Sequence, residues 1–314
     1  MYISTSVEQK NHIEQMITNF VDFMPSIKDM NPALFDAKFH HQLEEINQTS
    51  NQYPQHRDDM MQMCFDLCGA EMDKSKVHKR ARYKPCGYAG DYMMIDWLYM
   101  KEINSKNGGE IWDYFLHRLQ SSEAVRNRLS FFCEMIRYFA VRYKTGFSVL
   151  DLASGPCRDV FTAVEQSSSL TSSIHFHCVD LDENAIEYSR QLLQRNYENV
   201  NIQWEHSNAF FIKPTQKYDF VWSAGLFDYL NDRLAAALLK KMWRWTKDNG
   251  YLVIGNYHKN HATRNHLEWC GQWFLIHRDE DELLCLSKRA GIPEENCSFY
   301  TEHSGSCVFL MAQK

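Results

Sequence analysis

From Phe147 onward, short apolar runs alternate with longer amphipathic segments, and few architectures accommodate that pattern. The strand-like runs are Phe147–Leu152, Ile174–Asp180, Val200–Glu205, Tyr218–Ser223 and Tyr251–Asn256. Helical stretches such as Asp182–Gln194 and Asp232–Trp245 lie between them. Alternating βα units imply an α/β fold, a mostly parallel sheet with helices on both faces. The end of the chain differs. Ser298–His303 and Cys307–Ala312 flank a Ser304-Gly305 turn, which predicts an antiparallel hairpin. Just before it, Asp279 and Glu282 predict a capped helix start, and Gly291 its stop.

The first 145 residues read instead as helical. Asn31-Pro32 has the form of an N-cap followed by a first helical proline. A later helix, starting near Ser122 and Glu123, carries Val125, Leu129, Phe132, Ile136 and Phe139 on one stripe, and Gly146 ends it. The sequence therefore predicts two regions, a helical N-terminal cap or substrate region over 1–145 and an α/β domain over 146–314. With 19 Phe, 16 Tyr and 8 Trp in 314 residues, there is ample material for a packed core, which excludes a disordered chain. A net charge of −6 argues against a nucleic-acid binder. MYISTSVEQK lacks the cationic stretch and apolar run of a secretory signal, and no run is long enough for a membrane span, so a cytoplasmic protein is expected. The ten cysteines are scattered. Cys64 and Cys68 lie one helical turn apart with no further ligands at zinc-like spacing, so buried free thiols and no metal site are expected.

Four short motifs fall at predicted strand ends, where open α/β sheets bind ligands. VLDLASGPCRD (Val149–Asp159) runs from a strand ending at Asp151 through Ala153, Ser154 and Gly155 into a helix. Small residues in such a turn let a ligand approach the backbone. CVDLDENAI (Cys178–Ile186) sets Asp180, followed by Leu181, at the end of the next strand, where a carboxylate can accept from two ribose hydroxyls. SNAF (Ser207–Phe210) offers Asn208 to an adenine edge and Phe210 to its face, with Ala209 between. Ser223, Ala224, Gly225 and Leu226 leave room at the end of the fourth strand.

In order and content these motifs resemble class I S-adenosylmethionine-dependent methyltransferases over residues 146–314. The resemblance implies a Rossmann-like seven-stranded sheet in the order 3-2-1-4-5-7-6 and S-adenosylmethionine as cofactor. The turn at Asp151, Ala153, Ser154 and Gly155 would cradle its methionine part. Asp180 and Leu181 would hold the ribose; Asn208, Ala209 and Phe210 would meet the adenine; Ser223 and Ala224 would flank the reacting end. The family's usual glycine triplet is here Ala153, Gly155 and Cys157. A dinucleotide enzyme would suffer more from that loss, because it needs close helix-terminus contact with a pyrophosphate.

Three separated segments narrow the resemblance: SGPCRD, YKPCGYAGDY (Tyr83–Tyr92) and the long Gly255–Leu283 stretch. Together they look like a bacterial family of 3-hydroxypalmitic acid methyl ester biosynthesis, which implies O-methylation of the carboxylate of a small or fatty hydroxy acid, free or carrier-bound. Enzymes that form azetidine-2-carboxylate from the cofactor, releasing methylthioadenosine, look similar in architecture. A cofactor-binding module without chemistry is a third reading. Within the loop, Tyr88 and Tyr92 could line the pocket, while Tyr83 and Asp91 are assigned to the cofactor, Asp91 through its ammonium. A carboxylate acceptor needs no base at neutral pH. His258 is a candidate base if one is used, or a plain loop histidine. Arg264 could clamp an acceptor carboxylate, or form a surface ion pair. Trp269 and Trp273, four apart, suit one helical face as lid or core packing, and Tyr229 is a further pocket candidate. The basic run Lys74–Lys84 reads as a solvated helix face or a docking patch for an acidic carrier, not as a nucleic-acid site.

Overall fold

The computed structural model describes residues 2–166, 173–195, 197 and 200–314. The chain forms two compact units. One comprises Met1–Glu123 with Ala262–Phe274, the other Ala124–His261 with Leu275–Lys314. The sequence placed a single division near residue 145. The difference has a packing cause. Helix α7 (Gln120–Arg142) carries its aromatic stripe onto the sheet: Phe132 meets Trp222 at 5.4 Å and Phe139 meets Phe220 at 5.3 Å and Phe147 at 5.5 Å between ring centroids.

The second unit contains β1 (Phe147–Leu152), β2 (Ile174–Asp180), β3 (Asn201–His206), β4 (Tyr218–Ser223), β5 (Thr246–Tyr257), β6 (Cys297–Thr301) and β7 (Cys307–Gln313). They form one seven-stranded sheet in the order β3-β2-β1-β4-β5-β7-β6. The first five are parallel, and β7 runs antiparallel to β5 and β6. This is the Rossmann-like order expected from the resemblance. Helices α8 (Arg158–Gln166), α9 (Glu183–Gln194), α10 (Asp232–Trp245) and α11 (Glu280–Ala290) connect the strands. Leu238, Leu239 and Met242 of α10 and Leu283 and Leu286 of α11 bury against Leu150, Leu252 and Leu310 of the sheet. Each fully buried leucine contributes about 1.5–3 kcal/mol. The capping box predicted for α11 is present, with Asp279 accepting from the Glu282 N–H and Glu282 from the Asp279 N–H. Strand order reverses between β1 and β4, so the carboxyl ends of β2, β1 and β4 open the crevice where such sheets bind ligands.

The first unit is built from α1 (Tyr2–Phe23), α2 (Pro32–Asn51), α3 (Pro54–Met72), α4 (Lys76–Tyr83), α5 (Tyr92–Met100) and α6 (Glu110–Arg118). As predicted, Asn31 caps α2, its side chain accepting from the Ala33 and Leu34 N–H groups, with Pro32 at the first helical position. The core collects Phe20, Phe35, Phe39, Trp112 and Phe115. Residues 262–274 join this unit through a single π-helical turn, His266–Cys270. Trp269 and Trp273 therefore do not share one continuous helical face. Trp269 is fully buried, and its ring N–H donates to Asn47 at 3.3 Å. No described helix is long and apolar enough to cross a membrane.

Candidate cofactor site

The turn after β1 is set by backbone conformation. Ala153, Gly155 and Cys157 all lie in the left-handed region, at φ 56°, 53° and 48°. These are the three positions where the sequence has only one glycine. The turn keeps its shape without the other two, at a strain of about 1–2 kcal/mol per residue. A Cβ on Gly155 would meet nothing within 4 Å, so the turn is open on that side.

Asp180 ties this turn to β2. The Gly155 N–H donates to its Oδ2 at 2.7 Å and the Asp182 N–H to its Oδ1 at 2.9 Å. Burial raises its pKa above the ordinary carboxylate value. Backbone N–H groups of Gly155, Asp182 and Leu181 bond this carboxylate, and a carboxylate's four lone-pair sites leave room for a further donor such as a ribose hydroxyl. At the end of β1, burial pushes Asp151 well above the carboxylate range, and Asp159, Cys157 and Asp180 add to it. Among the described residues, its Oδ2 and the Ser154 Oγ are buried without a hydrogen-bond partner. Buried polar atoms of this kind call for a ligand or water. A ligand carrying a ribose diol and an ammonium fits this set of acceptors. Leu181 is 65% exposed beside Asp180, an apolar surface free to meet a ring.

After β3, the Asn208 Oδ1 accepts from the Phe210 N–H at 2.9 Å. That oxygen is engaged in its own turn, so Asn208 can address an adenine acceptor only through its NH2. Ala209 is buried, and Phe210 packs against the core beneath α10. After β4, the Ser223 hydroxyl donates to the Leu152 carbonyl at 2.9 Å. Ser223 is thus a strut between β4 and β1, while Ala224 and Gly225 remain partly exposed.

A methyltransferase-domain family model matches residues 149–250, the stretch from β1 into the start of β5. Over that stretch the chain is similar to S-adenosylmethionine-dependent methyltransferases. The cofactor of such a domain is S-adenosylmethionine. Over 148 residues the chain is 26% identical to a probable S-adenosyl-L-methionine-dependent methyltransferase, TehB, of Haemophilus influenzae. That match covers 44% of this chain and 51% of the relative, so the chain spans about half the length of the curated relatives it matches. Among solved structures, a "possible exported protein" from Bordetella parapertussis superimposes with TM-score 0.58 at 16% identity, covering 71% of this chain and 79% of that one. Magnesium protoporphyrin IX methyltransferase from Synechocystis, with bound S-adenosylhomocysteine, gives TM-score 0.51 at 11% identity over 77% and 99% of the two chains. Both likenesses are of fold.

The unit that carries the sheet holds the strand-end residues named from the sequence; Tyr83, Tyr88, Asp91, Tyr92 and Arg264 belong to the helical unit. There, Asp91 is buried, caps α5 through the Met94 N–H and pairs with Arg80 at 2.7 Å. Its carboxylate is already engaged by a helix and a guanidinium. Tyr83 is 57% exposed and donates its hydroxyl to Asp73 at 2.7 Å. Tyr88 is exposed and Tyr92 half-buried at the start of α5. Arg264 donates to Glu268 at 2.6 Å, the ion pair weighed as its alternative role. The basic run is solvated in part: Lys74, Lys76 and Lys79 are exposed, while Arg82 is buried and Lys84 donates to the Gly271 and Gln272 carbonyls.

His258, which follows β5, has both ring nitrogens engaged. Nδ1 accepts from the Asn260 N–H at 3.1 Å, and Nε2 lies 3.4 Å from the Glu280 carboxylate. Sequence reasoning passed over Arg128. It is buried on α7, 3.3 Å from Asp228, with its guanidinium carbon 4.4 Å from the Tyr257 ring centroid. Its Nη1 lies 3.6 Å from where a Gly225 Cβ would be. The signal was available: Arg128 interrupts the apolar stripe three residues after Val125 and four before Phe132.

Proposed function

We propose that the chain binds S-adenosylmethionine at the carboxyl ends of β1, β2 and β3 and transfers its methyl group to the carboxylate of a small or fatty hydroxy acid. The observation that carries the reading is the left-handed turn Ala153–Cys157, bonded through the Gly155 N–H to Asp180, with Asp151 Oδ2 and Ser154 Oγ left as unmatched buried acceptors. Asp180 would accept the ribose hydroxyls. Asp151 and Ser154 would meet the methionine part, whose ammonium would offset the burial of the Asp151 carboxylate. The Asn208 NH2 would donate to the adenine. When bound, the cofactor supplies a methyl group on a sulfonium, already activated for in-line displacement.

What the protein must then do is orient the acceptor and exclude water. A carboxylate acceptor is ionised at neutral pH and needs no proton removed, which agrees with the engaged ring of His258. Arg128 beside Gly225 offers a buried cation at the end of β4 that would attract an acid. The acid class itself is supported by the YKPCGYAGDY loop and the Gly255–Leu283 segment.

Calorimetry with S-adenosylhomocysteine tests the cofactor assignment. Asp180→Ala removes two hydrogen bonds to a charged acceptor, at about 1.5–3 kcal/mol each, and should weaken binding roughly a hundredfold to ten-thousandfold. Unchanged affinity in that variant defeats the assignment. Incubation with labelled cofactor and a panel of fatty and hydroxy acids should yield S-adenosylhomocysteine and a methyl ester. Release of methylthioadenosine in the absence of any acid would overturn methyl transfer.

A further inference from the structure

Three cysteines from two distant stretches of the chain meet in the core of the helical unit. Cys64 and Cys68 stand one turn apart on α3, their sulfurs 3.8 Å apart. Cys270, at the end of the π-helical turn, brings its sulfur to 4.0 Å from that of Cys68. All three are fully buried, all three are free thiols, and their sulfurs lie within 4.8 Å of one another. A disulfide needs sulfurs about 2.0 Å apart and joins only two. A zinc–thiolate bond is about 2.3 Å long, which sets ligand sulfurs about 3.8 Å apart in a tetrahedral arrangement and about 4.0 Å in a trigonal one. The 3.8 and 4.0 Å spacings match these distances, and the third pair of sulfurs lies within 4.8 Å.

A buried cation stands beside the cluster. The buried Arg82 guanidinium donates to the carbonyls of Cys270 and Phe65, pairs with Asp73 at 2.8 Å, and stands 3.9 Å from the Phe65 ring centroid. With three sulfurs and no oxygen ligand in the set, the cluster selects a thiophilic ion over magnesium or calcium. The rest of the 262–274 segment is fixed to the same unit by direct contacts: Asn265 donates to Glu44, Trp269 to Asn47, and Glu268 pairs with Arg57.

We propose that Cys64, Cys68 and Cys270 form a three-thiolate site for a divalent cation of the zinc class, which fastens the segment after β5 to α3. Binding transfers the thiol protons to the buffer, forms three metal–sulfur bonds and changes no oxidation state. The ion bridges chain positions 202 residues apart, so its binding free energy adds to folding stability.

The test uses the reduced 314-residue chain and Cd(II). One equivalent should be retained after desalting, with a thiolate-to-metal ultraviolet band, a shell of three sulfurs in X-ray absorption, and a raised thermal midpoint. Cys270→Ser should lose the band, and the exposed Cys285→Ser should keep it. A second thiol pair, Cys157 and Cys178 beside Asp151, is the competitor. A band lost in Cys178→Ser but kept in Cys270→Ser overturns the proposal, as does failure to retain Cd(II). If Cys270→Ser does not fold, the sulfur count in the unmodified chain decides: three supports the site, and fewer defeats it.

Discussion

Ala153 and Gly155 hold nearly the same backbone conformation with different side chains, which makes the cost of that conformation measurable. At φ 56° an alanine Cβ crowds the following carbonyl, and glycine does not. Ala153→Gly relieves that crowding but also loosens the unfolded chain, so a net gain of only about 0.5 kcal/mol is expected. Gly155→Ala imposes the crowding with no compensating contact, since its Cβ would point into open space, and should cost about 1–2 kcal/mol. Chemical denaturation reads both, and equal effects of the two changes would rule out backbone strain as the cause. Cys157 shares the conformation but is fully buried, so glycine there would lose packing as well. A glycine pattern read as degraded therefore marks strain tolerated within the turn. The other strand-end positions were legible because each is the last residue of an apolar run or the small turn that follows. Arg128 was not, because its meaning depends on what α7 packs against.

Elements were legible wherever local chemistry decides them. The bounds of β1, β2 and β4 agree with the apolar runs, and α11 has the capping box its sequence spells out. Two features depended on tertiary contacts. The stripe of α7 looked like any amphipathic helix, yet its partner is the sheet, so the unit boundary falls at residue 123. Residues 262–274 follow β5 directly, yet they pack with the helices that precede the sheet, which no local signal announces. The β6–β7 hairpin lies between these cases. Its Ser304-Gly305 turn was visible, with Gly305 at φ 72°, but its fastening was not. Glu302, 3% exposed, accepts from the N–H groups of Ser304, Ser306 and Cys307 and from the Asn127 side chain. Glu302→Ala leaves those donors unmatched at about 1–3 kcal/mol for each that stays buried. A loss of at least about 3 kcal/mol is expected in denaturant unfolding. A loss below about 1 kcal/mol would mean that water replaces the carboxylate, and that the hairpin does not depend on it.

At the scale of the whole molecule, buried carboxyls should make stability fall as pH rises through the acid range. Asp228 lies beneath β5 and Arg128, accepting from the Tyr257 N–H at 2.7 Å and pairing with Arg128 at 3.3 Å. Burial outweighs the pull of Arg128 and lifts its pKa from 3.8 to about 6. Asp159 is lifted to about 6 as well, again by burial, and Asp151 is raised with it. A carboxyl raised in the folded state binds its proton more tightly there than in the unfolded chain. Its contribution to stability is complete below the unfolded value of 3.8 and is lost as pH rises through about 6. For Asp228 alone the loss between roughly pH 4.5 and pH 7.5 comes to about 2 kcal/mol. Asp228→Asn removes this titration and leaves those of Asp151 and Asp159 in place, so the variant isolates one group. It will differ from the parent by a constant, set by the loss of charge opposite Arg128, plus the pH-dependent part. Denaturant midpoints measured on both proteins across that range should show the parent losing about 2 kcal/mol relative to the variant as pH rises. A gap that stays flat would mean that Asp228 is ionised throughout and that Arg128, not burial, governs it. A gap that moves the other way, with the parent gaining as pH rises, would mean that the ion pair is stronger than its desolvation cost.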